Sequence, residues 1–73
     1  MIEVGAIYRH YKGNRYRVLS LALHSESLEP LVIYECLYDN PKGRIWARPA
    51  SMWNDEIVFD GKKTLRFTKE KGE

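Results

Sequence analysis

The sequence lacks the residues and spacings that mark a disulfide-braced or metal-binding protein. Among 73 residues there is a single cysteine, Cys36, which excludes an internal disulfide. No Cys-x-x-Cys or His-x-x-x-His spacing occurs, so we expect no structural metal. No apolar run approaches the roughly 18 residues of a membrane-spanning helix, and the N-terminus does not resemble a signal peptide. These absences predict a soluble, cytoplasmic protein without a metal, a cofactor or a membrane partner.

Carboxylates are missing from one particular stretch. From Arg9 to Arg17 there are four arginines or lysines and one histidine, but no acidic residue. The net charge is only +2, which permits a polyanionic partner without requiring one. The acidic residues gather elsewhere, at 26–29 and 55–56. The distribution of charge therefore indicates an anion-facing surface more clearly than its sum does.

The length predicts one small domain spanning residues 1–73, with an ordered core at about 5–67 and a frayed tail at 69–73. A domain of this size buries only about 60% of the surface that its unfolded chain exposes. Its core leaves little room for a deep cleft, so we expect binding on a face of the domain.

The stretch 5–18 has the pattern of a β-hairpin. Gly13 and Asn14 form a turn pair that accepts positive φ, with strand-like residues on both sides. A two-residue loop at these positions pairs Tyr11 with Tyr16 and His10 with Arg17. One face then carries Tyr8, His10, Lys12, Arg15 and Arg17, and the other carries Ile7, Arg9, Tyr11, Tyr16 and Val18. Like charges opposite each other destabilise a strand pair by roughly a few tenths of a kcal/mol, so this face is better suited to an anion than to solvent alone.

The next segment is predicted to be a long strand over 16–24. Its apolar residues change parity after Val18, which indicates a β-bulge. A helix over Leu19–Leu28 is the competing interpretation, since β-branched residues are few there. Strand is favoured because both neighbouring segments are strongly β-like.

A second hairpin is predicted around Asn40-Pro41-Lys42-Gly43, which has the signature of a type I turn. Centring the third strand, 31–38, on this turn pairs Leu37 with Trp46 and Glu35 with Arg48. The core face becomes Val32, Tyr34, Cys36, Tyr38, Ile45 and Ala47, and the partly exposed face becomes Ile33, Glu35, Leu37, Trp46 and Arg48. A single helical turn at 48–54, a strand at 57–59, a turn at 60–61 and a final strand at 64–67 complete the chain. Met52, Trp53 and Phe59 are expected in the core or at the end of the barrel.

Together these elements predict an all-β fold, a small SH3-like, partly open barrel of about five antiparallel strands with one short helical turn.

The chain also resembles a bacterial family catalogued as domain of unknown function 1653. The resemblance is carried by Gly5, Tyr8-Arg9-His10-Tyr11-Lys12-Gly13, Tyr16, Val18, His24-Ser25-Glu26, Tyr34, Leu37-Tyr38, Trp46-Ala47-Arg48-Pro49, Met52 and Arg66-Phe67. The family more often has other residues at Ser27, Trp53 and Leu65. The resemblance implies a small cytoplasmic bacterial domain and supplies no activity or ligand.

Three groups of residues are candidates for a site. In the basic hairpin, Arg9, His10, Lys12, Arg15 and Arg17 could bind phosphate while Tyr8, Tyr11 or Tyr16 stacks on bases. The competing interpretation is a solvated hairpin whose tyrosines pack inward. His24-Ser25-Glu26 contains the residue types of a hydrolase triad, but neighbours in sequence point in different directions. Ser25 or Ser27 is better explained as a turn cap, with His24 bonding a backbone group or Glu26, and the cluster could line a site with His10.

Trp46, flanked by Glu35 and Arg48, is the remaining candidate, as a platform for a peptide or a base. Cys36 is expected to be buried and inert. The favoured function is a non-catalytic module that holds an anionic ligand, RNA or a nucleotide, on the cationic and aromatic hairpin. A protein-interaction domain that binds a peptide at Trp46 is the first alternative. A small enzyme that uses His10 and His24 on a phosphorylated substrate is the second.

Overall fold

The computed structural model describes residues 2–70, and within them the chain is nearly all β. Seven strands among these residues form a five-stranded antiparallel sheet and a separate two-stranded hairpin. They are β1 (Ile7–His10), β2 (Arg15–Leu23), β3 (Pro30–Cys36), β4 (Ile45–Pro49), β5 (Glu56–Phe59), β6 (Lys62–Leu65) and β7 (Phe67–Lys69). One 3₁₀ turn, Ala50–Met52, follows β4. The all-β class with one short helical turn is confirmed.

The main sheet has the strand order β4-β3-β2-β1-β7, with β5 and β6 forming the smaller sheet. Because β4 and β7 are its two edges, the barrel stays partly open. The predicted final strand is divided at Arg66 into β6 and β7. Lys69 pairs with Tyr8, and the Glu70 N–H donates to the Ile7 carbonyl, so the predicted fraying does not hold for these two residues. The rest of the predicted tail lies outside the described residues. Within 2–70 no helix is long and apolar enough to cross a membrane.

The predicted bulge in β2 is confirmed. The pairing of β2 with β3 shifts between Val18 and Ser20, where the apolar residues change parity. The strand continues to Leu23, so the helix considered for this segment does not form.

The register of the first hairpin differs from the prediction by three residues, since β1 pairs Tyr8 with Tyr16 and Arg9 with Arg15. Gly13, at φ +110°, is the third residue of a three-residue loop that is closed by a His10 N–H donating to the Asn14 carbonyl at 2.8 Å. Such a loop uses a positive-φ residue at its last position. A register shift by an odd number of residues changes which side chains share a face of the strand pair. Here it places Tyr8 and Tyr16 together on the core side and the arginines of β1 and β2 on the outer side.

The second hairpin has the predicted turn but not the predicted pairing. The Gly43 N–H donates to the Asn40 carbonyl at 3.1 Å, while Tyr34 pairs with Trp46 and Val32 pairs with Arg48. The loop between β3 and β4 is longer than predicted. Its first residue, Leu37, is held against β2 because the Leu37 N–H donates to the Arg15 carbonyl at 3.0 Å. Because Arg48 pairs with the buried Val32, the Arg48 side chain lies on the core side of the sheet. The predicted core residues Tyr38, Ile45 and Ala47 are instead exposed.

The core is built around Trp53, which is fully buried. Its indole stacks on the Phe67 ring, with centroids 3.9 Å apart and planes 4° from parallel. Tyr8 and Tyr34 meet it edge-on at 5.4 and 5.0 Å. Cys36 is buried, as predicted. Met52 and Phe59 are 45% and 48% exposed, so of the two positions predicted for them, the core is ruled out.

Replacing Trp53 by Ala should lower the free energy of unfolding by about 3–5 kcal/mol. A chain of this length is stable by only about 4–11 kcal/mol, so the variant should be marginally folded. Trp46 is a matched control because this residue is already 36% exposed, and Trp46→Ala should cost at most about 2 kcal/mol. Urea denaturation followed by circular dichroism gives both values. Equal losses in the two variants would contradict the central position of Trp53.

Candidate anion-binding site

The arginines of the first hairpin are paired with acids that the sequence places far away. Arg9 and Arg15 both donate to the Glu70 carboxylate, with closest contacts of 3.1 and 2.8 Å. Arg17 lies 3.6 Å from the Glu35 carboxylate, which also accepts from Arg44 at 3.1 Å. These arginines, which the sequence predicted to lie on an anion-facing surface, therefore already have carboxylate partners within the protein. The fold itself brings two carboxylates to this outer face.

The His24-Ser25-Glu26 segment forms a structural turn. The backbone N–H groups of Glu26 and Ser27 donate to His24 Nδ1 at 3.1 and 3.3 Å. The Ser27 hydroxyl in turn accepts from the Glu29 N–H at 3.2 Å. The predicted capping roles of Ser27 and His24 are confirmed.

His24 and His10 do not share a site. His24 follows the end of β2, whereas His10 lies beside the turn that precedes that strand. The nine residues of β2 span about 30 Å. The expected grouping of His10 with His24 and Glu26 was therefore wrong.

His10 is held at the end of β1 with one ring nitrogen engaged. Its Nδ1 accepts the Lys12 backbone N–H at 3.2 Å, so the proton of the neutral ring lies on Nε2 and can be donated to a ligand. The ring contacts Tyr11, with centroids 4.4 Å apart, and meets the Phe67 ring edge-on at 5.1 Å.

Arg48 approaches the same place from β4. Its guanidinium carbon lies 5.5 Å from the centroid of the Phe67 ring, a cation–π contact. Among residues 2–70, its buried Nε has no hydrogen-bond acceptor and its guanidinium forms no direct ion pair. A buried donor without an acceptor costs about 1–3 kcal/mol, so Arg48 sits in an environment that would gain from a nearby negative charge.

Arg66 adds a second guanidinium, tied to the only carboxylate described at this place. Its guanidinium donates to both oxygens of Asp55, at 3.0 to 3.2 Å. These hydrogen bonds are the main reason that the pKa of Asp55 is lowered. The Arg66 carbonyl accepts the Tyr11 N–H at 3.0 Å, which fixes Arg66 beside the first hairpin.

The electrostatics of His10 report this concentration of positive charge. Burial is the largest cause that lowers the pKa of His10, and the charges of Arg48, Arg66 and Lys12 lower it further. Three cations and one carboxylate thus surround a neutral imidazole. We call His10, Tyr11, Lys12, Arg48 and Arg66 the His10 surface.

A continuous series of rings runs from the core to the His10 surface. Phe67 contacts His10, His10 contacts Tyr11, and Tyr11 meets Phe59 at 5.2 Å. The Lys12 ammonium lies 5.8 Å from the centroid of the Tyr11 ring. Cations and half-exposed rings therefore lie side by side here.

The structure thus brings together only part of the predicted site. His10, Tyr11, Lys12 and Arg48 are assembled, whereas Arg9, Arg15 and Arg17 lie on the outer face. Tyr8 is buried, and its hydroxyl accepts the Glu3 N–H at 3.0 Å, so it is not available to stack on a base. Arg66 was missed because only the fold brings it to the hairpin.

The predicted Trp46 site is altered by the register shift. Glu35 pairs with Ile45 rather than with Arg48, so the expected ion pair beside Trp46 does not exist. The indole N–H of Trp46 donates to the Gly43 carbonyl at 3.0 Å, which fixes the ring against its own hairpin. In the described part of the chain no cluster of His, Cys, Asp and Glu could hold a metal ion.

Comparison with known proteins identifies the family of this chain. The sequence model of a family described as "Protein of unknown function (DUF1653)" matches residues 6–69. The chain belongs to this family. The crystal structure of a DUF1653 protein from Bordetella bronchiseptica is similar, with a TM-score of 0.84 and 32% identity over 90% of this chain and 85% of that chain. No curated protein sequence matches significantly.

An NMR titration of the imidazole tests the cause of the lowered pKa of His10. The midpoint should lie below 6.5, and Arg48→Gln should raise it because one repelling charge is removed. Arg17→Gln removes the same charge from the outer face and should leave the midpoint unchanged. The neutral ring is favoured in the folded protein, so its contribution to stability is complete above pH 6.5 and falls as the pH drops below that value. Equal responses to the two variants would show that Arg48 does not act on His10.

Proposed function

We propose that this protein is a non-catalytic module that binds an anionic, base-bearing ligand, RNA or a nucleotide, on the His10 surface. The proposal moves the site from the outer arginines to the side of the sheet that carries the aromatic rings. A cytoplasmic location in a bacterium, which the sequence leads us to expect, is part of the same proposal.

The main support for the proposal is the environment of the Arg48 guanidinium. Its charge lies over Phe67 and beside His10, with no direct carboxylate partner among the described residues. Arg66 is the other guanidinium of the His10 surface, and Asp55 already neutralises it. A phosphate group could accept from Arg48 and from His10 Nε2, and charge-assisted hydrogen bonds of this kind are stronger than neutral ones.

The aromatic rings offer a surface for the base of the ligand, as the cations do for its phosphate group. Tyr11 is half-buried, between His10 and Phe59, and nucleic-acid bases stack on such side chains with little regard to sequence. A simple inorganic anion would use the cations alone, whereas a nucleotide would use both.

One observation favours a second candidate, the binding of an extended peptide along β4. This strand is an edge of the main sheet, and Ile45 is 62% exposed on it. Open edges can accept an added strand, although β4 is short and ends at Pro49, which has no N–H to offer. The enzyme alternative loses its basis because His10 and His24 lie at opposite ends of β2.

Arg48→Gln should weaken binding of a fluorescent uridine oligoribonucleotide by about 5- to 150-fold, the equivalent of one charge-assisted contact of about 1–3 kcal/mol. Arg17→Gln is the matched control, since it removes the same charge from the opposite face, and it should change affinity little. Fluorescence anisotropy at about 50 and 200 mM salt gives affinity and salt slope together.

Arg48→Lys is a second variant that distinguishes a loss of binding from a loss of folding. It keeps the positive charge but lacks the planar guanidinium group. It should retain most of the salt dependence while binding more weakly than the wild type. If Arg17→Gln weakens binding as much as Arg48→Gln does, or if the wild type does not bind the oligonucleotide, the proposed function is wrong.

A further inference from the structure

We infer that the site continues onto the β5–β6 hairpin, where Phe59 and Lys62 form a second subsite, and that the ligand is a single strand of nucleic acid rather than a mononucleotide. This inference rests on the proposed function and specifies its ligand. Neither residue belongs to the His10 surface as defined above.

The β5–β6 hairpin presents a ring and a cation on one face. Asp60 and Gly61 form its two-residue loop, both with positive φ (57° and 76°), as a type I′ turn requires. This turn places Phe59 directly opposite Lys62. Residues directly opposite each other on paired strands share a face of the sheet, so the side chains of Phe59 and Lys62 project to the same side of the hairpin.

That face is the one turned towards the main sheet. Ile57 and Thr64, which share it, are half-buried, whereas Val58 on the other face is 71% exposed. Phe59 contacts the Tyr11 ring at 5.2 Å and remains 48% exposed. The subsite therefore adjoins the His10 surface and stays open to solvent.

Two backbone hydrogen bonds hold the hairpin in this position. The Arg66 N–H donates to the Asp55 carbonyl, and the Tyr11 N–H donates to the Arg66 carbonyl, both at 3.0 Å. The second subsite is thereby fixed relative to the first by the same residues that carry Arg66 to His10.

The arrangement repeats the pair of features that one nucleotide needs. Arg48 offers a cation, His10 a hydrogen-bond donor and Tyr11 a ring, and Lys62 and Phe59 offer a further cation and a further ring. A mononucleotide has one base and one phosphate group, and it could occupy only one of these pairs. Successive rings beside a cationic track are how proteins bind single strands without reading their sequence.

The test compares uridine monophosphate with oligouridylates and oligothymidylates of two, four and six nucleotides by anisotropy competition. Wild-type affinity should rise from the monomer to the longer strands. Phe59→Leu keeps an apolar side chain against Tyr11 and removes the flat ring, and it should weaken hexamer binding by about 5- to 150-fold while leaving the monomer unchanged. Lys62→Gln should reduce the hexamer's salt slope by about 0.7. Lys63→Gln, on the opposite face, is the matched control.

The possible results separate this inference from the proposal on which it rests. If monomer and hexamer bind equally, and Phe59→Leu and Lys62→Gln have no effect, the second subsite is wrong while the proposed function stands. If neither ligand binds to the wild type, both fail. If Lys63→Gln matches Lys62→Gln, the charge acts only through the overall field, and the subsite is again wrong. A preference for ribose or deoxyribose strands identifies the source of the ligand.

Discussion

The stack of Trp53 on Phe67 is the contact on which the rest of the structure depends. Phe67 opens β7, the strand that returns to pair with β1, and Trp53 fills the inner side of the curved sheet. The same Phe67 ring meets His10 edge-on and lies beneath Arg48. The ring that closes the core therefore also supports the His10 surface, so fold stability and the geometry of the site cannot be separated in this protein.

Two hairpin registers decide which charges lie on which side of the sheet. In the first hairpin the three-residue loop turns Arg9, Arg15 and Arg17 away from the rings, where Glu70 and Glu35 bind them. In the second, the pairing of Val32 with Arg48 turns one arginine towards the rings. Exposed ion pairs are worth about 1 kcal/mol or less, so the outer pairs add little stability. They do occupy those arginines, whereas Arg48 has no such partner among the described residues.

Features encoded locally could be predicted from the sequence, and features that depend on distant contacts could not. The change of parity after Val18 is enough to predict the bulge, and Asn40-Pro41-Lys42-Gly43 is enough to predict a turn. Gly13 suits two loop lengths equally well, and only packing of Tyr8 and Tyr16 against the core selects one. The carboxylates of Glu35 and Glu70 and the arrival of Arg66 depend on pairings between strands far apart in sequence. His10, Tyr11, Lys12 and Arg48 were named from the sequence, but Arg48 was grouped with Trp46, and only the fold brings Arg48 to the first hairpin.

The most direct test of the account is to follow the side-chain Nε–H signals of the arginines by ¹⁵N NMR while a uridine oligonucleotide is added. The account predicts that the Arg48 signal and the backbone amides of Tyr11 and Lys12 shift together and saturate at one concentration. The signals of Arg9 and Arg17 should stay in place, because these side chains face the other side of the sheet. Shifts confined to the outer arginines, with Arg48 unmoved, would contradict the placement of the site.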